Sequence, residues 1–239
     1  MILYHYTKLE NLPLIVQEDK LEFIMTDYMH FDDRSEGRYA FDVPRRVYKK
    51  WYYDVGKRFV LSLCREKDNL PMLKEYANNA SGLVLGINTD YIAVGDLYEC
   101  KYDPSEIWMI EENMKAIKNH YNAIDPLNQQ STDITIRNLE KSLIQEEQNK
   151  LLAFKNPHYK YEKEWRVLKK VQRGNINFRF KNGKLIHFSY YHLDRNSLES
   201  IYVGPNNSKS ILGEIKKYLQ HIKLINIEPQ MLQVPYKSY

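Results

Sequence analysis

Four short stretches carry side chains that could do chemistry. Tyr4-His5-Tyr6-Thr7 sets an imidazole between aromatic rings at the end of an apolar run. A histidine there can bond a ribose hydroxyl or a backbone carbonyl, and the rings can wall a ring-shaped ligand; taken alone, the cluster is better explained by a half-buried histidine satisfied by its own backbone. Phe31-Asp32-Asp33-Arg34-Ser35-Glu36 places three carboxylates within five positions. They could hold a divalent cation, but Arg34 in their midst and Ser35-Glu36 at a helix start fit a capped terminus with an internal ion pair better. In Ser62-Leu63-Cys64 the alternation of an apolar strand sends Ser62 and Cys64 to one face and Leu61 and Leu63 to the other. The Ser62 hydroxyl can hold a ligand or a neighbouring side chain, or be merely a small core residue. Tyr161-Glu162-Lys163-Glu164-Trp165-Arg166, if extended, puts Glu162, Glu164 and Arg166 on one face. One carboxylate would pair with Arg166 while the other faced a cleft; a charged outer strand face is the plain alternative.

A fifth cluster interleaves Arg45, Arg46, Lys49, Lys50, Lys57 and Arg58 with Tyr48, Trp51, Tyr52 and Tyr53. Cations and rings together can contact phosphates and stacked bases of a nucleic acid, although an amphipathic helix with buried rings and solvated cations explains the cluster better. Common dinucleotide, phosphate-loop, hydrolase and zinc-protease motifs are missing: no G-x-G-x-x-G, no G-x-x-x-x-G-K-[ST], no G-x-S-x-G and no H-E-x-x-H occurs.

These residues must be positioned by a chain of 239 residues with net charge +4, 28% charged and 43% hydrophobic, which excludes a disordered chain and suits one sizeable α+β domain. Twenty tyrosines favour half-buried strands or cleft walls. Two cysteines, Cys64 and Cys100, without His or Cys at ligand spacing argue against a disulfide framework or a structural zinc, and fit a reducing cytosol. With no signal-like start and no long apolar run, a soluble cytoplasmic protein is expected.

Ile2 to His5 reads as a first strand, Thr7 and Glu10 as a capping box opening a helix, and Leu21 to Met25 as a second strand. A helix follows from near Ser35. Strands are expected at Lys57–Cys64, Gly82–Ile87, Asp96–Tyr102, Trp165–Val171, Leu198–Val203 and Ile222–Ile227, with helices at Leu70–Tyr76 and Ser208–Leu219. Ile176–Phe180 and Leu185–Tyr190 flank Lys181-Asn182-Gly183, a strong hairpin signal. The stretch 104–154 reads as a helical insertion or lid within a single domain 1–239, its two helices joined by a polar linker around Asp125-Pro126 and Gln129 to Thr132. Irregular strand and helix order favours a largely antiparallel α+β core over a doubly wound sheet.

The opening YHYT, the FDDRSE loop, the strand with Ser62 followed by Asp68, Met72, Tyr76-Ala77 and Gly82, and the late EKEWR resemble the bacterial family known as domain of unknown function 2971. Leu73 departs from that family's usual Trp after the Met. The family is itself similar to the ADP-ribosyltransferase superfamily, whose split, largely antiparallel β core holds NAD in a cleft. This resemblance implies that His5 bonds the adenosine-side ribose, that Ser62 braces the glutamate or the other ribose, and that Glu164 takes that ribose's 2′-hydroxyl. Glu162 would orient or deprotonate an acceptor, and Tyr6, Thr7, Tyr76 and Arg166 would complete the NAD site. The function implied is cleavage of NAD as substrate with transfer of ADP-ribose to an unknown protein or nucleic-acid acceptor, in a bacterial or phage conflict setting. A non-catalytic nucleotide- or nucleic-acid-binding module on the same fold is the alternative, and a metal-dependent nuclease using Asp32, Asp33 and Glu36 a third. The transferase reading expects His5, Ser62 and Glu164 to meet in one cleft with Tyr6 or Tyr76 on its wall; His5 and Glu164 pointing to opposite faces of the sheet, or packed apolar side chains between them, would count against it.

Overall fold

A computed structural model describes residues 1–30, 58–103, 105–124, 134–181 and 183–234. The acidic stretch 31–36, the helix expected from Ser35, most of the basic and aromatic cluster and the linker 125–132 lie outside the described residues.

Among the described residues ten strands form one sheet: β1 (Ile2–Thr7), β2 (Lys20–Asp27), β3 (Arg58–Cys64), β4 (Leu83–Asn88), β5 (Leu97–Glu99), β6 (Glu164–Lys170), β7 (Asn177–Lys181), β8 (Lys184–Asp194), β9 (Leu198–Val203) and β10 (Gln230–Met231). Their order is β10-β9-β4-β1-β3-β2-β8-β7, with β6 also on β3 and β5 on β6. The pairings are antiparallel apart from β9 with β10.

The feature that matters most lies around β3. One edge of this strand pairs along its full length with β6, from Arg58↔Lys170 to Cys64↔Glu164. The other edge is shared: β1 touches it at Tyr4↔Cys64, and β2 at Thr26↔Val60 and Asp27↔Phe59. Because both strands run antiparallel to β3, continued pairing would bring each of them to Ser62. They part instead, β1 following β4 and β2 following β8. A notch opens over Leu61, Ser62 and Leu63.

One face of the sheet carries Leu3, Phe23, Leu61, Leu63 and Val167 beneath helix α5 (Ser210–His221), which contributes Ile215 and Leu219. The other carries Tyr6, Cys64 and Val84 beneath α2 (Leu70–Glu75), and Val60 and Leu168 beneath Leu152. Leu152 ends α4 (Ile134–Leu152), which packs on α3 (Ser105–Ile124) through Ile107, Ile110, Met114 and Leu151.

Local chemistry departs from the sequence reading in three places. Thr7 does not cap a helix: α1 (Leu12–Ile15) starts only after a 3-10 turn, and the Thr7 hydroxyl accepts from Asn11 Nδ2 at 2.9 Å. Ile222–Ile227 is no strand. Lys223 is left-handed at φ 58°, and Leu224 N–H reaches back to Leu219 C=O while Lys223 N–H reaches Gln220 C=O. These two bonds close α5 in a Schellman motif, whose apolar contact is Leu224 against Leu219; the apolar spacing that suggested a strand comes from this cap. Arg58, placed in the basic cluster, is 1% exposed at the start of β3 and so is not a surface phosphate contact. The β7–β8 hairpin, in contrast, closes at Lys181↔Lys184 over a two-residue loop with Gly183 at φ 72°, as Asn-Gly chemistry requires.

Gly82 sets the approach of α2 to β1. A Cβ there would lie 2.2 Å from Thr7 O and 2.9 Å from the Ala77 backbone, so backbone itself would have to move. Gly82→Ala is therefore expected to lose about 1–3 kcal/mol in urea unfolding. Gly213→Ala in α5, with nothing within 4 Å of the new methyl, should gain about 0.5–1 kcal/mol. Equal stability of the two variants would refute the close approach.

Candidate functional site

The parting of β1 and β2 creates a cleft of about 280 Å³ lined by Tyr4, His5, Tyr6, Ile24, Thr26, Ser62, Tyr76, Lys155, Tyr159, Glu162 and Glu164, among others. The strands fix who looks into it. Tyr4 opposes Cys64 and Cys64 opposes Glu164, so Tyr4, Tyr6, Ser62, Glu164 and Arg166 emerge on one pleat face. By the same alternation His5 leaves β1 on the opposite face from Glu164, which corrects the expectation that the two side chains point to one face of the sheet. It reaches the cleft because the strands have parted: its ring bridges the gap, edge-on to Phe23 of β2 with centroids 5.1 Å apart.

His5 Nδ1 lies 3.2 Å from Ser62 C=O. A carbonyl only accepts, so Nδ1 carries the proton and Nε2 is an acceptor. Burial holds the imidazole down to about 4, against the opposing pull of the Ser62 carbonyl bond, and a neutral acceptor therefore persists at physiological pH. Ser62 itself is exposed and contributes its carbonyl to His5.

Glu162 and Glu164 do not share an extended strand. Glu162 ends a 3-10 helix, Pro157–Glu162, and Lys163 turns left-handed at φ 47° before Glu164 opens β6. What joins them is Lys155, a residue the sequence reading passed over. Its ammonium, 1% exposed, sits 2.5 Å from Glu162 Oε2 and 2.7 Å from Glu164 Oε2. Arg166 then grips Glu164 with a two-pronged contact, Nε to Oε1 at 3.0 Å and Nη2 to Oε2 at 3.1 Å, while its Nη1 donates to Leu152 C=O at 2.7 Å. Burial alone would raise the Glu164 carboxyl, but the Arg166 and Lys155 charges prevail and hold it down to about 2. Two anions and two cations thus form a buried quartet beside the cleft. Arg166 and Thr7 do not line the cleft: the first clamps Glu164 and the second faces Asn11.

Around the quartet the backbone is tied down. Tyr6 Oη donates to Glu66 C=O at 2.6 Å and accepts from Asn69 N–H at 3.1 Å, and burial raises its phenol. Cys64 Sγ donates to Glu162 C=O at 3.0 Å, and burial pushes its thiol up to about 11. Asn69 donates to Tyr161 C=O and caps α2 through Met72 N–H. Tyr6 therefore gives the cleft its ring and keeps its hydroxyl for the frame. Tyr76, 41% exposed just after α2, contributes its ring to the cleft wall. Among the described residues, no helix is long and apolar enough to cross a membrane.

No curated protein and no solved structure matches the chain. Residues 72–167, from α2 into β6, match the model of the family described as protein of unknown function (DUF2971), a stretch that holds Tyr76, Lys155, Glu162, Glu164 and Arg166 and leaves His5 and Ser62 outside it.

Proposed function

We propose that the chain is an ADP-ribosyltransferase-like protein that takes NAD into the cleft over Ser62 and transfers ADP-ribose to a macromolecular acceptor. The observation that carries this reading is the notch between β1 and β2, which brings a neutral imidazole, tyrosine rings and a carboxylate pair to one opening. His5 Nε2 accepts from a ribose hydroxyl, and Tyr76 stacks on a base. As the bond from ribose C1′ to the nicotinamide nitrogen breaks, its electron pair leaves with nicotinamide and positive charge grows on the ribose. Glu164, ionised throughout, stabilises that charge. The acceptor's nucleophile bonds to C1′ and gives its proton to Glu162.

A second reading has its own observation. Lys155 and Arg166 neutralise both carboxylates, which suits a nucleotide-binding module without turnover. Labelled NAD given to the pure protein, with and without cell lysate, separates the two: nicotinamide release and label transfer support the transferase, binding alone supports the module, and no binding removes the transferase. Tyr76→Ala should weaken NAD binding about tenfold, within the range of a lost stacking contact, without a change in urea midpoint. Unchanged affinity would take Tyr76 out of the site.

A further inference from the structure

Away from the quartet, three side chains meet at the far end of β2. Asp27 closes that strand and Tyr28–His30 forms a 3-10 turn directly after it. One register step beyond the Thr26↔Phe188 pair, β8 brings His187 alongside. Met29 N–H donates to Asp27 Oδ1 at 3.1 Å, which fixes the carboxylate and leaves Oδ2 for other partners. His187 Nδ1 lies 3.1 Å from that oxygen and His30 Nδ1 3.6 Å from it. The donor atoms of all three residues fall within 4.8 Å of one another. The rings are held in place, His30 edge-on to His187 at 4.6 Å and Phe178 edge-on to His187 at 4.9 Å.

An ordinary ion pair explains only half of this. It satisfies His187, but His30 Nδ1 is buried without a hydrogen-bond partner, and Asp27 is a carboxylate only 3% exposed. An imidazole nitrogen aimed at a buried carboxylate, too far for a bond and shielded from water, is costly unless something lies between them. A cation there satisfies all three donors at once. Tetrahedral coordination at about 2.0–2.1 Å places ligand atoms about 3.3 Å apart, close to the two Asp27 distances, and small imidazole rotations bring in the third edge.

We propose that Asp27 Oδ2, His30 and His187 bind one divalent first-row transition-metal ion, with Zn²⁺ the best fit to two imidazoles and a carboxylate. Met29 N–H orients the carboxylate as an outer partner. His30 also lines the cleft, so the ion sits at its rim, and the position that three protein ligands leave open takes water or an oxygen of whatever the cleft holds. The site stands independently of what that ligand is.

The test uses the tag-free full chain, stripped with chelator, and titrates Zn²⁺ by calorimetry and Co²⁺ by visible absorption. One equivalent is expected, with d–d bands of a four-coordinate site. His187→Ala and Asp27→Asn should each lose at least about 100-fold in affinity, since each removes a direct ligand and outer partners alone give 10–100-fold. His192→Ala, on the same strand but paired with Glu22 at 2.7 Å, should bind as the parent does. If His187→Ala does not fold, His30→Ala carries the test, because His30 lies in a turn. Uptake below half an equivalent by the parent protein, or parental affinity in His30→Ala and His187→Ala, overturns the proposal.

Discussion

Glu164→Gln is expected to destabilise the protein by about 3–5 kcal/mol, the range for breaking a buried ion pair from one side. The substitution keeps the volume but leaves Arg166, 2% exposed, and Lys155, 1% exposed, with one carboxylate between them. A buried charge that loses a carboxylate it was paired with is costly, because water does not replace the lost partner. The double variant Glu164→Gln/Arg166→Met returns the site to balance, since Lys155 and Glu162 remain a pair. It should recover about 1–2 kcal/mol relative to the single variant. Urea unfolding of the parent, single and double proteins measures this directly. A single variant within 1 kcal/mol of the parent, or a double variant less stable than the single, would mean that the quartet does not hold together as described. For the transferase reading the same result sets a condition: loss of NAD turnover in Glu164→Gln counts for catalysis only where the variant is folded and still binds NAD.

What could be read in the sequence was whatever the chain decides locally. Strand β9 and the β7–β8 hairpin follow from alternation and an Asn-Gly step, and their chemistry involves only neighbours in sequence. Ser62 turning away from Leu61 and Leu63 follows from the same period of two. The quartet was not legible in this way. Glu162 and Glu164 looked like strand neighbours, yet a left-handed Lys163 separates them and Lys155 reunites them. Nothing in a Phe-Lys-Asn-Pro string announces a buried lysine; its burial depends on β6, the 3-10 helix and the end of α4 arriving together. His187 meets Asp27 across 160 positions, a distance at which no spacing rule operates. The notch itself is a competition between β1 and β2 for one edge of β3, and such competition is a property of pairing rather than of any segment.

Stability should fall in two separate steps as the solution is acidified. His5 has an ordinary value of 6.5 and is held near 4 in the fold by burial, with the Ser62 carbonyl opposing. Its folded value is depressed, so the unfolded chain takes up the proton first. The associated stability is complete above pH 6.5 and drains away as pH falls to about 4. Glu164 has an ordinary value of 4.5 and a folded value near 2, where Arg166 and Lys155 outweigh burial. Its contribution is complete above pH 4.5 and is lost between there and about 2. The His5 step should be the smaller of the two, because water reaches part of its half-buried ring. Unfolding free energies of the parent and of His5→Gln at pH 7.5, 5.5, 4 and 3 separate the steps. The difference between the two proteins should shrink from pH 7.5 to 4 and then stay flat, while the parent keeps losing stability below 4.5. Contributions common to both proteins cancel in the difference. A gap that does not change between pH 7.5 and 4 would show that His5 keeps an ordinary value in the fold, and with it would go the neutral Nε2 acceptor on which its place in the cleft depends.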